Sequence, residues 1–112
     1  MSYIRNKIRS LKNRLFSDSM RAIEANALLL GKINTRQVLN INKLSSLKEA
    51  EFKVFSQWGD DGIIQYLINK IPIKNQTFVE FGVEDYTESN TRFLLMNNNW
   101  SGLIIDGSYS NK

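Results

Sequence analysis

The sequence contains neither cysteine nor histidine. The absence of cysteine excludes disulfides and thiolate chemistry. The absence of histidine removes the usual zinc ligand, the Ser-His-Asp triad and the commonest general base. Any catalysis by this chain therefore depends on carboxylates, hydroxyls, amides, amines or a bound cofactor.

Long apolar segments are also missing, since no strictly apolar run exceeds four residues. A membrane-spanning helix needs ~20 such residues, so none is predicted. Basic residues interrupt the N-terminal apolar pattern that a signal peptide requires, which makes the cytoplasm the predicted compartment. The 112 residues, 42% of them hydrophobic, predict one folded unit rather than a disordered chain.

The net charge of +4 is unevenly distributed. Residues 1–55 carry eleven basic and four acidic side chains, a net +7, whereas residues 56–112 carry four and seven, a net −3. This asymmetry divides the chain into two differently built parts. We expect an amphipathic helical arm over residues 1–48 and a second unit over residues 49–112.

The first part has apolar residues at helical spacing. Ile4, Ile8, Leu11 and Leu15 form one stripe, and a second stripe, out of phase with it, runs from Phe16 through residues 20, 23 and 27 to 30. Gly31 is the expected stop of this helix, and a second helix is expected over residues 35–47.

Three interpretations of this arm remain open. A helical hairpin would pack its apolar face on its own domain or on a second subunit. In the second case the arm would form a homo-oligomer, and the chain would be a non-catalytic interaction protein. A basic amphipathic helix also suits an anionic membrane surface, although this interpretation is not favoured. Nucleic acid is an unfavoured partner, because aromatic residues are not interleaved with the basic ones.

The second part has the pattern of an α/β fold. Asp60 or Asp61 is expected to cap a helix that ends before Pro72. Residues 77–83 predict a strand buried on both faces, residues 90–96 a helix ended by the asparagines at 97–99, and residues 102–105 a second buried strand. Both tryptophans, Trp58 and Trp100, are expected in the core.

The order strand, helix, strand predicts a parallel βαβ unit. Glu80 and Gly82 then lie near the carboxyl end of the first strand and Asp106 at that of the second, where open α/β sheets bind ligands. An acid there can accept both ribose hydroxyls. A glycine-rich phosphate loop is disfavoured, because Glu84 and Thr87 stand where it needs glycine. A cofactor with a ribose and a positive centre, such as S-adenosylmethionine, fits better.

Four segments resemble FkbM-type methyltransferases in order and spacing. Residues 56–62 (SQWGDDG) resemble the family's S-Q-[FY]-G-E-D segment, and residues 78–85 (FVEFGVED) its first strand and cofactor loop. Residues 89–91 (SNT) resemble its S-N-T motif, and residues 100–102 (WSG) resemble its G-W-x-G motif. Asp106, which follows Ile105, resembles its second-strand acid. The resemblance covers residues 52–109, about half of the chain.

This resemblance implies a class I, Rossmann-like methyltransferase fold, here an incomplete βαβ unit preceded by the helical arm. It implies methyl transfer from S-adenosylmethionine to a sugar hydroxyl or another hydroxyl oxygen, with a small molecule or a glycan as the substrate. Glu80 and Gly82 match the first cofactor motif, Asp106 the ribose-binding acid, and Asp85 and Asn90 the region near the methionine end. No catalytic residue is assigned, because the base would lie beyond Lys112 in relatives of full length, so the chain is expected to be truncated and inactive alone.

Other roles remain open for the same residues. Glu80 could form a salt bridge to Arg92, Asp106 could cap the turn at Gly107 and Ser108, and Asn90 could be a helix N-cap. Tyr86 stands where many relatives have the second loop glycine, which would narrow the pocket. No metal site is predicted, because the spacing of Glu84, Asp85 and Glu88 matches no calcium loop.

Overall fold

The computed structural model describes residues 1–107. In this part of the chain it is a mixed α/β structure with three α-helices, one 3-10 turn and two strands. In chain order these elements are helix α1 (Ser2–Leu39), the 3-10 turn (Leu47–Ala50), helix α2 (Asp60–Lys70), strand β1 (Thr77–Phe81), helix α3 (Arg92–Asn98) and strand β2 (Ser101–Ile105).

The two strands are parallel neighbours, and α3 lies between them in the chain. Their register runs from Thr77 opposite Ser101 to Phe81 opposite Ile105. The Gly82 N–H donates to the Ile105 carbonyl at 2.9 Å, which extends the pairing one residue past β1. The predicted parallel βαβ unit is confirmed, and the carboxyl ends of both strands meet at one edge.

The expectation that both strands are buried is wrong. Val79 and Phe81 are 59% and 72% exposed, and all five residues of β2 are exposed. Each strand has one neighbour in the two-stranded sheet and so leaves one edge unpaired, and the face that carries Val79 and Phe81 is open in the described part of the chain. The apolar residues correctly predicted the two strands. They did not predict whether other elements cover the faces of the sheet, as helices usually do in a parallel sheet.

Helix α1 does not stop at Gly31. It continues to Leu39, and the expected second helix over residues 35–47 is absent, with the 3-10 turn beginning only at Leu47. A Cβ on Gly31 would lie 2.6 Å from Val54 and 2.9 Å from the Phe93 ring. Glycine is therefore required here for close packing, and the helical hairpin is replaced by one long helix.

Only the C-terminal part of α1 packs on the rest of the molecule. Every residue from 1 to 23 is exposed, whereas Gly31, Thr35 and Val38 are buried. We call residues 2–23 the projecting segment. Within residues 1–107, no helix combines the length and apolar character needed to cross a bilayer.

The core forms where α1, α2 and α3 meet the segment between the 3-10 turn and α2. Its buried apolar residues are Val38, Ala50, Phe55, Val83, Phe93, Leu94 and Trp100. The Phe52 ring packs edge-on against Phe93 with the ring centres 5.9 Å apart. Trp100 is in the core as predicted, but Trp58 is 77% exposed, so that prediction is wrong.

Candidate functional site

A loop with unusual backbone geometry follows β1. Gly82, Glu84 and Tyr86 have φ angles of 70°, 50° and 66°. Left-handed backbone is uncommon for residues other than glycine, and it persists where surrounding contacts hold it. The Tyr86 N–H donates to the Val83 carbonyl at 2.8 Å, and the Tyr86 hydroxyl lies 3.0 Å from the Thr91 hydroxyl. The loop of residues 82–88 is therefore bound to the start of α3.

Glu80, near the end of β1, binds the residues that follow this loop. Its carboxylate accepts hydrogen bonds from the Asn90 N–H at 2.9 Å and the Thr91 N–H at 3.0 Å, as well as from the Thr91 hydroxyl. The alternative pairing with Arg92 is wrong, because Arg92 forms its ion pair with Glu24 of α1 at 2.8 Å. Glu80 thus holds together the two chain segments that border the site.

Arg92 connects the site to the long helix. Besides the pair with Glu24, its guanidinium donates to the Thr87 carbonyl at 2.9 Å and lies 4.1 Å from the centre of the Phe55 ring. Helix α1, the loop after β1 and the segment before α2 therefore meet on one side chain. This contact ties the loop to the folded body.

Ser89, not Asn90, caps the start of α3. The Ser89 hydroxyl accepts from the Thr91 N–H at 3.2 Å and the Arg92 N–H at 3.1 Å. The Asn90 side chain makes no cap and is exposed. Sequence reasoning missed Ser89, although a serine whose hydroxyl accepts from the N–H groups two and three residues further on is a usual capping arrangement.

Asp106 joins the end of β2 to the loop. Its Oδ2 accepts a hydrogen bond from the Glu84 N–H. This contact places the Asp106 carboxylate beside the loop, at the edge where the sequence predicted a ligand. The alternative turn cap involves Ser108, which lies outside the described residues.

Two clefts open at this edge of the sheet. The first, of about 340 Å³, is lined by Val83, Glu84, Asp85, Tyr86, Ile104 and Asp106. The second, of about 230 Å³, is lined by Gln57, Trp58, Asp60, Glu80, Phe81, Gly82, Glu88, Ser89 and Asn90. The structure thus brings all five predicted site residues to the two clefts: Asp85 and Asp106 to the first, and Glu80, Gly82 and Asn90 to the second.

The lining of both clefts is strongly acidic. It includes six carboxylates and, among the described residues, no lysine or arginine: Asp60, Asp85 and Asp106, with Glu80, Glu84 and Glu88. Close like charges raise the electrostatic cost of an added anion and lower that of a cation. The site therefore favours a positively charged ligand over a phosphate. Within residues 1–107, no group of three or more acidic side chains is arranged to hold a metal ion.

The two aspartates before α2 have different roles. Neither caps the helix with its side chain, so the predicted capping is wrong. The Asp61 side chain points toward the segment that precedes it. Its Oδ2 accepts hydrogen bonds from the backbone N–H groups of residues 54, 55 and 56 at 2.7–2.9 Å and from the Ser56 hydroxyl at 2.9 Å. Asp60 lines the second cleft with Gln57 and Trp58. Sequence reasoning missed Gln57 and Trp58 as site residues, although they belong to the family-like segment at 56–62.

Asp85 closes a short turn inside the loop. Its Oδ1 accepts the Thr87 hydroxyl and, at 3.1 Å, the Thr87 N–H. The hydroxyl bond, followed by the backbone bond, lowers the pKa of the Asp85 carboxyl below its ordinary value. A carboxyl whose pKa is lower in the folded chain than in the unfolded chain stabilises the turn at pH values above the ordinary carboxyl pKa. This stabilisation is lost as the pH falls through the lowered pKa.

Replacing the Thr87 hydroxyl should therefore raise the pKa of Asp85. Thr87→Val removes the first of the two bonds and keeps the backbone bond, so we expect a rise toward the ordinary value without a full return. Thr87→Ser keeps a hydroxyl and serves as the matched control. A carboxyl-detected NMR titration measures both, and an unchanged pKa in Thr87→Val would contradict the assigned bond.

Comparisons with protein-family models, with curated proteins and with solved structures find no match to this chain.

Proposed function

We propose that the two acidic clefts bind S-adenosylmethionine, and that residues 49–107 form part of a class I, Rossmann-like methyltransferase domain of the FkbM type. The observation that carries the proposal is the acidic loop at the carboxyl edge of two parallel strands, with an aspartate at the end of the second. Ligands of open α/β sheets bind at this edge. The proposed acceptor is a hydroxyl oxygen of a sugar or another small molecule.

The first cleft suits the ribose. Asp106 ends β2 and lines this cleft, and a carboxylate can accept both hydroxyls of a ribose diol. Its Oδ2 already accepts from Glu84, which fixes the orientation of the carboxylate before any ligand binds. Pre-ordered acceptors lower the entropy lost on binding.

The second cleft suits the charged methionine portion. The methionine portion of S-adenosylmethionine carries a sulfonium and an ammonium group against one carboxylate, so its net charge is positive, and Asp60, Glu80 and Glu88 line this cleft. In the proposal, Asn90, which lines this cleft, and Asp85, which lines the first, border the methionine end. Glu80 acts as a positioning residue, because its oxygens already hold the start of α3.

When bound, the cofactor would supply an electrophilic methyl group. The contribution of the described residues is to orient that group and to keep the loop in shape, since alignment of reacting atoms is a major part of catalysis. No described residue is assigned as the base that takes the acceptor proton.

Calorimetric titration with S-adenosylhomocysteine tests the proposal. We expect saturable binding by the full chain and a loss of at least about tenfold in affinity in Asp106→Asn, because hydrogen bonds to a charged group contribute ~1.5–3 kcal/mol. The amide of the variant keeps an oxygen that can accept from Glu84, so the loop contact is retained.

Asp18→Asn is the matched control. It makes the same change of side chain and charge in the exposed projecting segment, so we expect unchanged affinity. Absence of binding by the folded chain, or equal binding by Asp106→Asn, would refute the proposed site. ATP should bind more weakly than S-adenosylhomocysteine, because the carboxylates repel its phosphates.

A further inference from the structure

The projecting segment presents a narrow apolar face to solvent. Ile4, Ile8, Leu11 and Leu15 are 60%, 49%, 56% and 58% exposed, although all four lie on one side of α1. Successive helical residues are turned by about 100°, which places these four within ~60° of one another. Nothing in the described part of the chain covers this face.

Basic residues border the apolar face on both sides. Lys7 and Arg14 lie along one border, and Arg5 and Lys12 along the other. The opposite side of the helix holds mainly uncharged polar residues, including Asn6, Ser10 and Asn13, and Arg9 lies toward it, with its guanidinium donating to the Asn6 side chain at 3.2 Å. Residues 1–17 contain five basic side chains and no acidic one.

This charge pattern disfavours a second copy of the same chain as the partner. In a helix pair, the residues beside the apolar seam of one helix meet those of the other, and here all four are basic. Like charges at these positions are destabilising in either helix direction. The seam is also short, because the next position in its register is Asp18.

The pattern fits an anionic lipid surface. Lysine and arginine at the border of an apolar face can extend their apolar stems along it and place their charges among acidic headgroups. A second apolar stripe, Phe16, Met20 and Ile23, is turned by about a third of a turn from the first and is also exposed. A fluid surface can accept both stripes, whereas one straight partner helix cannot follow the change of phase.

We propose that the projecting segment lies on anionic membrane surfaces, with its Ile4–Leu15 face in the headgroup region and its basic borders on the lipid phosphates. The folded body is held at the same surface, because α1 continues without a break into the core. This inference does not depend on cofactor binding.

Vesicle flotation with the full chain tests this proposal. The vesicles contain either phosphatidylcholine alone or phosphatidylcholine and phosphatidylglycerol in equal parts. We expect binding to the anionic vesicles only, and a decline as salt is raised, because each basic residue near an anionic surface contributes about fivefold in affinity and this attraction is screened.

Two variants with the same change of charge separate the lipid-facing side from the other. Leu11→Asp puts a carboxylate in the apolar face and should lower vesicle affinity by much more than tenfold. Asn13→Asp adds the same charge on the opposite side and should cost at most about fivefold. Both positions are exposed, so the unfolding transition of the body serves as a check that the fold is unchanged.

Equal binding to neutral vesicles, no binding to anionic ones, or equal losses in the two variants would overturn the proposal. So would a concentration-dependent dimer, measured by sedimentation, that Leu11→Asp dissociates while vesicle binding is absent. That outcome would assign the face to a second copy of the chain.

Discussion

Asp61→Ala is expected to lower the free energy of unfolding by about 3–5 kcal/mol. Asp61 is 1% exposed, and one of its oxygens accepts three backbone N–H groups and a hydroxyl. Alanine would leave those donors without their acceptor, and each unsatisfied buried donor costs ~1–3 kcal/mol. The segment of residues 54–56 that borders the core would lose its fixed shape.

Chemical denaturation measures this loss. Asp60→Ala is the control, because the neighbouring carboxylate has the same charge, lies in the same first turn of α2 and takes no part in those hydrogen bonds. We expect Asp60→Ala to change the free energy of unfolding by no more than ~1 kcal/mol, because it removes only a favourable charge at the start of α2. Equal effects of the two substitutions would contradict the structural role given to Asp61.

Gly62→Ala is expected to destabilise the fold by at least about 3 kcal/mol, although alanine is the better helix former. A Cβ at residue 62 would overlap the Ala50 carbonyl and lie 2.5 Å from the Phe52 N atom. Both are backbone atoms, which cannot turn aside as a side chain can. The Gly62 N–H also donates to the Phe52 carbonyl at 3.1 Å, so moving α2 away would weaken this bond. Overpacking of a well-packed core usually costs ~1–3 kcal/mol, and a clash with backbone lies at or above the upper end.

Asn69→Ala supplies the comparison within the same helix. Asn69 is exposed near the end of α2, so alanine there should be neutral or stabilise slightly through its helix propensity. The two substitutions therefore have opposite expected signs in the same denaturation experiment. A stabilised Gly62→Ala would show that α2 does not approach the 3-10 turn as closely as described.

Asp61 and Gly62 show why the structure of residues 56–62 could be predicted only in part from the sequence. An aspartate before an apolar helical pattern predicts an N-cap, and the helix does begin at Asp60. The side chain of Asp61 instead binds a segment that precedes it in the chain. Local rules cannot predict that choice, because it depends on how the chain folds back between residues 54 and 61.

Element order and type were predictable because their signals are local. Pro72 disfavours helical backbone at the residue before it, and Ile71 is extended as α2 ends. Asn99 takes the left-handed backbone that ends α3, which is a usual role for asparagine. Gly31 shows the limit of such signals, since glycine is common both at helix ends and where two elements pack closely. Here its role is close packing, which depends on Val54 and Phe93, residues distant in the sequence.

The location of the site was easier to predict from the sequence than the contacts and exposure of each side chain. Gly82 and Asp106 each follow a strand, and two parallel neighbouring strands place the residues that follow them at the same carboxyl edge of the sheet. Trp58 belongs to a separate segment, and composition alone favours burying a tryptophan. Its exposure beside the second cleft follows from tertiary packing, which no local pattern reports.

The most direct test of the account is where S-adenosylhomocysteine contacts the chain. Backbone amide NMR spectra of the full chain during a titration would locate it. We predict saturable shifts at residues 82–86 and at Asp106, with the amides of the projecting segment unchanged. Shifts confined to other surfaces, or none at saturating ligand, would contradict the claim that the carboxyl edge of the sheet is the binding site.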